Sequence, residues 1–396
     1  MRIEGAMAPI GQEQNETASH VDWRWQLRNA VRDVNQLNDF LSSFTDLRIE
    51  SSPIIERVSR ARFSLKITPY MLVAIKRALE ASIPGAWEAF RWSFVPSDRE
   101  SGRIAEEDGS DGIGEELPAA NPVPAVTNFY GNRVVFRVTA MCPAHCRYCF
   151  RRRMVGDGPG AWDEQAVRDG IAYISRNGAI HEVVISGGDP LVLSDERLSG
   201  IVRALKAIPH VKRLRIDTKA LTMMPQRVTD ELVEMLRNAK PFYVIAHFSN
   251  IYELTDEVRW ACSRLADAGV PLRAHIPLLK GVNDKEEDLA SLLEALVDAR
   301  IQPYYLIQFI PTKWTEHFRV PISRGLELMN YLHQHCGGLS TPTYIVYLPD
   351  AGGKVPISPQ YMLARSAQGY MFRSLDGRQI LYPEPHDVST QPDQFA

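Results

Sequence analysis

The sequence predicts an α/β protein built around a parallel sheet of six strand–helix units, which together form an open or partial barrel. Short β-branched and aromatic runs recur from residue 133 onwards, and helical segments separate them. That alternation is the pattern of βαβ units. Six units are too few for a complete eight-fold barrel. In open sheets and barrels alike, ligands bind at the carboxyl ends of the strands.

Seven runs of sequence predict strands, and an apolar stripe predicts the helix before the sixth. The strand pattern is carried by the runs 133–141, 181–186, 212–217, 241–249, 271–279 and 303–310. The helix between the last two of these carries an apolar stripe over 289–297, at the spacing of a helix that packs on a sheet. A seventh run, 341–348, has the pattern of a further strand.

Composition divides the chain into four regions. Residues 1–20 lack the apolar core of a signal peptide and are expected to be a disordered lead-in. Residues 21–125 combine a helical region with an acidic, Gly- and Pro-rich stretch that is expected to be a surface linker. The barrel covers 126–340. Residues 341–396 form a C-terminal extension whose polar end is expected to trail over the surface.

Charge and cysteine usage exclude several classes of protein. The formal net charge is −3 over 396 residues, so nothing indicates a nucleic-acid partner. No apolar run reaches the roughly 18–20 residues of a membrane span. Three of the five cysteines are clustered, which does not make a disulfide framework, and Cys262 and Cys336 fit packing positions in helices. We therefore expect a cytoplasmic protein without a membrane partner.

The stretch "MCPAHCRYCFRRR" at 141–153, which follows the first predicted strand, contains three candidate metal ligands. Cys142, Cys146 and Cys149 follow that strand with the spacing C-x3-C-x2-C. Three thiolates suit a four-iron cluster and leave one iron open to a small molecule. A zinc site with His145 as its fourth ligand, or three unrelated buried cysteines, would also fit this stretch alone.

The cysteine spacing resembles the signature of the radical S-adenosylmethionine (SAM) enzymes. This resemblance implies that the open iron binds SAM and that one electron from the cluster cleaves it to an adenosyl radical. The second strand ends in Ser186, Gly187, Gly188 and Asp189, which resemble the stretch that holds the amino group of SAM. Glycines there allow the backbone to approach a ligand closely. Tyr148 would pack near the adenine.

The segment "PDAGGKVP" places Lys354 behind two glycines that follow a strand end. A lysine that bonds covalently to a flat cofactor must be desolvated and closely approached, which small neighbours permit. Taken alone, the triplet also fits an exposed turn.

Over most of its length the chain resembles the lysine 2,3-aminomutase family of pyridoxal-phosphate-dependent radical SAM enzymes. Blocks that carry the resemblance include "DWRWQLRN", "CRYCFRRR", "VVISGGDPLVLSDE", "DAGVPLRAHIPLLKGVND" and "GGKVPISP". It implies a partial (β/α)6 radical SAM barrel with a [4Fe–4S] cluster, SAM and pyridoxal 5′-phosphate as cofactors. It also implies a flavodoxin- or ferredoxin-type electron donor and a homo-oligomer.

The resemblance assigns roles to single residues. Lys354 would carry the pyridoxal phosphate and be catalytic, in a site that Arg133, Tyr130 and His247 also line. As residues beside or within strands, these three would equally suit ordinary structural positions. Arg151 would bind the substrate carboxylate, a task that suits a guanidinium fork. The two arginines that follow it would either be surface charge or hold the cluster loop.

The sequence departs from lysine-specific members where they recognise the substrate. Two aspartates that bind the distal ammonium are replaced by Ile310 and Tyr347, a tyrosine is replaced by Ile307, and an arginine beside the cofactor is replaced by Phe129. An ammonium group buried without a partner costs several kcal/mol, so lysine is not the expected substrate.

Two charged residues and one missing motif leave other features open. Asp350 and Lys313 follow nearby strand ends and would allow polar recognition if they faced the substrate. The family's C-terminal cysteine cluster, which binds zinc at the subunit interface in some members, is absent from the sequence.

The predicted activity is a 2,3-aminomutase that converts an L-α-amino acid other than lysine, with a neutral or aromatic side chain, to a β-amino acid. Lysine 2,3-aminomutase proper is one alternative. The same cofactors would also support deamination, epimerisation or decarboxylation. Outside this class, an iron–sulfur electron-transfer or RNA-binding protein without pyridoxal, or a non-catalytic binding module, stays open.

Overall fold

The computed structural model describes residues 22–59, 63–101, 111–156, 162–366 and 368–383. The predicted lead-in at 1–20 and the end of the chain from 384 lie outside the described residues. Within those ranges no helix is long and apolar enough to cross a membrane.

A helical layer precedes the sheet, as the apolar spacing predicts. It comprises α1 Trp23–Arg28, α2 Val34–Ser42, α3 Pro53–Ser59, α4 Pro69–Glu80 and α5 Ala86–Phe94. Local signals begin two of these helices: the carboxylate of Asp33 accepts from the Gln36 amide, and the hydroxyl of Thr68 accepts from the Met71 amide ahead of a proline at the first turn. These helices bury a core of their own that contains Leu37.

The centre of the molecule is a nine-stranded sheet. Its strands are β1 Val126–Thr127, β2 Arg133–Arg137, β3 Glu182–Ser186, β4 Arg213–Thr218, β5 Phe242–His247, β6 Leu272–Leu278, β7 Gln302–Gln308, β8 Thr343–Leu348 and β9 Gly353–Pro356. They lie side by side in chain order. Strands β2 to β8 are parallel, whereas β1 and β9 pair antiparallel at the two edges. The α/β fold class and its parallel strands are confirmed.

Helices cover the outside of the parallel strands. They are α6 Glu164–Arg176, α7 Asp195–Lys206, α8 Ala220–Met223, α9 Asp230–Asn238, α10 Asp256–Asp267, α11 Glu286–Asp298 and α12 Ile322–His335. The residue before a helix repeatedly caps it: Ser194, Thr229 and Thr255 each accept a hydrogen bond from an amide of the first turn. The leucines of the predicted stripe on α11 are fully buried. The chain therefore makes a partial barrel of βα units, as the strand–helix alternation predicts.

The described part of the C-terminal extension is mostly exposed, but it has regular structure that its polar composition did not predict. Strands β10 Met362–Ser366, β11 Gly369–Arg373 and β12 Gln379–Pro383 form a separate antiparallel sheet in which Phe372 pairs with Ile380. These strands were overlooked because they are short and mix apolar with charged residues, so their composition is close to that of a polar tail.

The described part of the predicted surface linker is also packed. We call residues 111–117 the acidic strap. A Cβ on Gly112 would lie 2.3 Å from the Pro311 carbonyl oxygen, and one on Gly114 would lie 2.6 Å from the Ala351 nitrogen. The Ala351 amide donates to the carbonyl of Ile113 at 3.1 Å. The strap thus lies against the loops that follow β7 and β8, and its glycines permit that close approach.

Candidate active site

One cavity lies at the carboxyl ends of the parallel strands and encloses about 230 Å³. It is the position at which this class of fold binds ligands. Every predicted site residue except Asp350 lines it: Tyr130, Arg133, Cys142, Cys146, Tyr148, Cys149, Arg151, Ser186, Gly187, Gly188, Asp189, His247, Ile310, Tyr347 and Lys354. Residues spread over more than 200 positions of sequence therefore share a single chamber.

The cysteine loop is fastened to the helical layer. The amide of His145 donates to the Lys66 carbonyl at 3.0 Å, and the amide of Arg147 donates to the Ser93 carbonyl at 2.7 Å. The His145 ring stacks on Phe63 with 4.6 Å between centroids, and its Nδ1 lies 2.9 Å from the Ser64 carbonyl oxygen. These contacts hold the ring against the helical layer. Among the described residues, the ligand atoms of His145 and the cysteines do not form a group of three within 4.8 Å of one another, which disfavours a compact zinc site.

The three cysteines of this loop are half-buried, and all three line the cavity. Burial raises the pKa of Cys146 to about 12 and raises the pKa of both Cys142 and Cys149 above the ordinary value. Such thiols give up their protons when a metal centre supplies compensating positive charge. This donor set fits an iron–sulfur cluster bound by three thiolates.

Acidic residues upstream of the loop pair with each of the three arginines at 151–153. Arg152 donates to Glu100 at 2.7 Å, and both side chains are buried. Arg153 pairs with Glu116 and, at 2.9 Å, with Asp111. These arginines therefore hold the cluster loop, the second of the two roles that the sequence left open.

Arg151 makes the most extensive contacts of the three. Its Nε donates to Glu115 at 2.9 and 3.1 Å, and its Nη1 donates to Ser186 Oγ at 3.0 Å and to the Gly187 carbonyl at 3.3 Å. Among the described residues, no side chain or carbonyl accepts a hydrogen bond from Nη2. The two-point contact that the sequence predicts for a substrate carboxylate is thus reduced to one nitrogen, Nη2, because Nε and Nη1 already donate to protein groups.

The two glycines after β3 are required by a close approach of backbone to backbone. A Cβ on Gly187 would lie 2.3 Å from the Thr139 carbonyl oxygen, and one on Gly188 would lie 2.2 Å from the Met141 carbonyl oxygen. The Gly188 amide donates to the Thr139 carbonyl at 2.6 Å. The turn therefore packs on the start of the cysteine loop, so the two strand ends that line the cavity have a fixed separation.

Asp189 braces the ends of β3 and β4. Its buried carboxylate accepts from the Thr218 hydroxyl at 2.8 Å and from the amides of Lys219 at 2.7 Å and Ala220 at 2.9 Å. A further bond comes from the Leu191 amide. Both oxygens are thus engaged within the protein, although the residue lies on the cavity wall.

Lys354 lies on the edge strand β9, not on an exposed turn. It pairs in register with Tyr347 on β8, and its amide donates to the phenol oxygen of Tyr130 at 2.7 Å. The preceding Gly353 has φ of +79°, and a Cβ there would lie 3.0 Å from the Tyr130 ring. The amine nitrogen is 5.0 Å from the centre of the Tyr305 ring. Burial lowers the pKa of Lys354, and the nearby Arg215 lowers it further. An amine with a lowered pKa in an aromatic pocket suits covalent attachment of a carbonyl cofactor.

Comparison with known proteins agrees with this site. The Radical SAM superfamily profile matches residues 136–293, and the Lysine-2,3-aminomutase profile matches residues 329–395. The L-lysine 2,3-aminomutase of Clostridium subterminale is 36% identical over 364 residues, which cover 92% of this chain and 84% of that protein. The glutamate 2,3-aminomutase of Clostridioides difficile is 36% identical over 362 residues, covering 91% and 82%. The L-lysine 2,3-aminomutase of Fusobacterium nucleatum is 34% identical over 371 residues, covering 94% and 84%.

The chain belongs to the lysine 2,3-aminomutase family. Members of this family are isomerases that use a [4Fe–4S] cluster, SAM and pyridoxal phosphate. The relatives include enzymes named for a cationic and for an anionic substrate at the same identity, so overall similarity does not select the substrate.

Sequence reasoning missed three polar residues that lie beside the predicted His247 on this aminomutase's cavity wall. Arg215 and Asp217 on β4 adjoin His247 on β5 and His275 on β6, and ligand atoms of the last three lie within 4.8 Å of one another. Burial lowers the pKa of His247 to about 4 and lowers the pKa of His275 well below its ordinary value, which favours the neutral form of both rings at neutral pH. Their Nε2 atoms have no hydrogen-bond partner in the described part of the chain. The alternation Arg-x-Asp in β4 was the available signal, since it puts both side chains on one face.

These unsatisfied groups suit the polar atoms of a cofactor beside Lys354. Arg215 Nε lies 3.8 Å from Asp217 Oδ1, and Lys354 interacts electrostatically with both side chains. A metal cation among them would meet the positive charge of Arg215, so the group fits an organic cofactor better than a metal ion.

A second missed pair lies near the cluster loop of the aminomutase. The buried amine of Lys219 donates to both oxygens of Glu253, at 3.0 and 2.9 Å, and Glu253 also accepts from the amide and hydroxyl of Ser249. Tyr148 shares this network through a hydrogen bond with Ser249. The tyrosine between the cysteines is thus held by a charged buried network. Both it and Lys219 line the cavity.

Apolar side chains form part of the cavity wall. Ile307, Phe309 and Ile310 lie there, and the ring of Tyr347 also lines the cavity. The structure does not support the polar recognition by Asp350 that the sequence left open. Asp350 lies on the exposed turn at 349–352, outside the cavity wall, because the chain turns there through left-handed residues.

The cavity wall offers no carboxylate without a donor or a cation beside it to a substrate side chain, among the residues that the structure describes. Lys313 is exposed, with its amine 5.1 Å from the Trp314 ring centre. Among the described residues that line the cavity, the carboxylates are Glu115, Asp189 and Asp217. Each already has donors or a cation beside it.

Proposed function

We propose that this protein is a radical SAM, pyridoxal-phosphate-dependent 2,3-aminomutase whose substrate is an α-amino acid with a neutral or aromatic side chain. The observation that carries the proposal is a single cavity lined by the three clustered cysteines, Lys354 and Arg151, with Ile310 and Tyr347 on the same wall. The product would be the corresponding β-amino acid.

The donor sets on the cavity wall fit the family's cofactors. Cys142, Cys146 and Cys149 would hold the cluster, and the turn at 186–188 with Tyr148 would line the SAM site. Lys354 would hold the pyridoxal phosphate beside Arg133, Tyr130 and His247. When bound, the cluster and SAM supply a carbon radical, and the pyridoxal ring supplies a conjugated system that stabilises an unpaired electron. A one-electron donor of the flavodoxin or ferredoxin type would reduce the cluster.

The protein's own groups orient the amino acid. Nη2 of Arg151 is available to a carboxylate, and a charge-assisted hydrogen bond there contributes about 1.5–3 kcal/mol. Arg151 and Lys354 line the same small cavity, so one amino acid can meet both. The lowered pKa of Lys354 leaves more of its amine neutral, and therefore nucleophilic, than an exposed lysine would have at neutral pH.

The apolar part of the cavity wall favours an uncharged side chain. Each Å² of apolar surface buried against Ile307, Phe309 and Ile310 contributes roughly 25 cal/mol. A lysine ammonium at Ile310 and Tyr347 would instead lose its water without gaining a carboxylate, at a cost of several kcal/mol. A glutamate carboxylate would gain no partner from Lys313, which is exposed.

A substrate screen tests the proposal. Anaerobically reconstituted protein with pyridoxal phosphate, SAM and dithionite is incubated with each proteinogenic amino acid in turn, and products are separated and identified by mass spectrometry. We expect a β-amino acid from a neutral or aromatic substrate and none from the variant in which all three clustered cysteines are alanine. Turnover of lysine alone would contradict the substrate class. A keto acid, a D-amino acid or an amine as product would instead indicate deamination, epimerisation or decarboxylation.

A further inference from the structure

The acidic strap lies between the cluster loop and the segment that carries Lys354. On one side Asp111 and Glu116 pair with Arg153. On the other side the Ile113 carbonyl accepts from the Ala351 amide, three residues before Lys354. Ile113 and Glu115 are buried on the cavity wall between these contacts. The strap is therefore part of the active-site wall and not a linker.

Glu115 is the buried centre of the strap. Its side chain has no exposed surface, and it accepts from Nε of Arg151 through both oxygens and from Nη1 of Arg137 at 3.4 Å. Arg137 is in turn fixed by the Asn121 side chain at 3.0 Å and the Pro124 carbonyl at 2.9 Å. Glu115 is thus held in one position from behind by a guanidinium that is itself immobilised.

The donors of Arg151 are divided between protein and cavity. Nε is bound to Glu115, and Nη1 is bound to Ser186 and Gly187. A guanidinium is planar and rigid, so fixing two of its three nitrogens fixes the third. The position of Nη2 therefore depends on Glu115 on one side and on the glycine turn on the other.

We propose that Glu115 is the positioning residue of the substrate-carboxylate site: it orients Arg151 so that Nη2 is the nitrogen left for the carboxylate. This inference rests on the proposed function, in which Arg151 binds that carboxylate. Glu115 also balances the charge of Arg151, so the substrate is recognised by a directed hydrogen bond and not by an unpaired buried cation. Without Glu115, the Nε end of the Arg151 guanidinium would have no acceptor, so the plane of the group could change its orientation.

Steady-state kinetics of the reconstituted holoenzyme test this role, with the amino acid that yields product in the screen above. In Glu115→Ala we expect KM to rise about tenfold or more while kcat stays within about threefold, because a charge-assisted hydrogen bond to the carboxylate is misaligned. The amine that lacks the carboxyl group serves as a competitive inhibitor, and its inhibition constant should not change. Glu115→Gln keeps an acceptor oxygen for Nε, so its KM should stay near that of the wild type.

Two control variants separate positioning from general damage. Glu116→Ala removes a neighbouring carboxylate that pairs with Arg153 and should leave KM unchanged. Arg324→Met removes an arginine that pairs with Glu286 at 2.6 Å outside the cavity wall, and it should lower stability while KM is kept. A KM in Glu115→Ala equal to that of the wild type, or an equal loss of amine binding, would overturn the inference.

Failure of the proposed function is distinguishable from failure of this inference. If Arg151→Met does not raise KM, Arg151 does not bind the carboxylate, and both ideas fall. If Arg151→Met raises KM and Glu115→Ala does not, only the positioning role is wrong. Absence of β-amino acid from every substrate would reject the proposed function and this role together.

Discussion

The amide of Lys354 donates a hydrogen bond of 2.7 Å to the phenol of Tyr130, across 224 residues of sequence. Tyr130 precedes β2 near one edge of the nine-stranded sheet, whereas Lys354 lies on β9 at the other edge. This bond therefore joins the two sides of the open barrel. It also sets the position of the lysine relative to the first βα unit, whose loop carries the cysteines.

Tyr130→Phe should remove the hydrogen bond to the Lys354 amide while leaving the aromatic ring in the pocket. The variant keeps the ring, which Arg133 stacks on at 3.6 Å, but leaves the Lys354 amide without its acceptor. We expect a loss of about 1 kcal/mol in stability and a several-fold weaker pyridoxal phosphate affinity. Urea unfolding of the cofactor-free protein and titration of the pyridoxal absorption band measure the two effects. Tyr243→Phe, on β5 away from Lys354, is the matched control, and an identical affinity in both variants would contradict the prediction.

Lys354→Ala should abolish the visible absorption band of lysine-bound pyridoxal and leave the absorption of the cluster intact. The reason is that the amine is the attachment point, whereas the cysteines lie on a different loop. Lys313→Ala removes an exposed lysine that contacts Trp314 and should retain the band. If wild-type protein shows cluster absorption only, the pyridoxal assignment is lost.

The sequence was sufficient for the strands and for the cofactor-bearing loops because both depend on local signals. Each predicted strand overlaps an observed one, since runs such as 181–186 combine β-branched residues with turn residues at their ends. The cysteine spacing and the glycines before Lys354 can likewise be recognised from segments of fewer than about ten residues.

The parts that were missed depend on contacts between distant segments. Glu115 reads as one more acid in a polar, Gly-rich stretch, and only its pairing with Arg151 and Arg137 makes it a core residue. Asp217 and His275 sit on different strands, so their meeting depends on sheet register. Asp350 was misassigned for the same reason: sequence distance from Lys354 does not say which way a turn faces.

Arg152 and Arg153 should differ sharply in what they contribute. Arg152→Ala leaves Glu100 without one of its two buried partners, and breaking such a pair costs about 3–5 kcal/mol. Arg153→Ala breaks pairs with Asp111 and with the half-exposed Glu116, which are more exposed than the pair of Arg152 and Glu100, and we expect a smaller loss of about 2 kcal/mol or less. Urea midpoints and iron content after reconstitution measure both. Equal losses in the two variants would mean that burial does not set the contribution of these arginines.

Acid should destabilise the cofactor-free protein through its buried histidines. The pKa of His247 is about 4 in the folded protein and about 6.5 in an unfolded chain. Between these values the unfolded chain binds more protons, so stability falls as pH drops from about 6.5 to 4, by roughly 2–3 kcal/mol for this residue. Urea midpoints at pH 7.5 and pH 5 test this. His247→Gln should flatten the dependence, whereas the exposed His335→Gln should not; equal slopes in all three proteins would exclude His247 as the cause.

Returning carboxylates to the apolar part of the cavity wall should shift the substrate preference towards lysine. Ile310 and Tyr347 occupy the positions where the resemblance to lysine-specific enzymes implies aspartates, and both line the cavity. In the double variant Ile310→Asp, Tyr347→Asp, a lysine ammonium would gain two partners, while a neutral side chain would lose apolar contact at roughly 25 cal/mol per Å². We expect the ratio of kcat/KM for lysine to that for the native substrate to rise at least tenfold, that is by about 1.4 kcal/mol. The control Phe309→Asp puts one carboxylate on the same wall at an unmatched position and should lower activity without favouring lysine. Should both variants favour lysine equally, any negative charge would suffice, and the substrate class would not be decided by Ile310 and Tyr347.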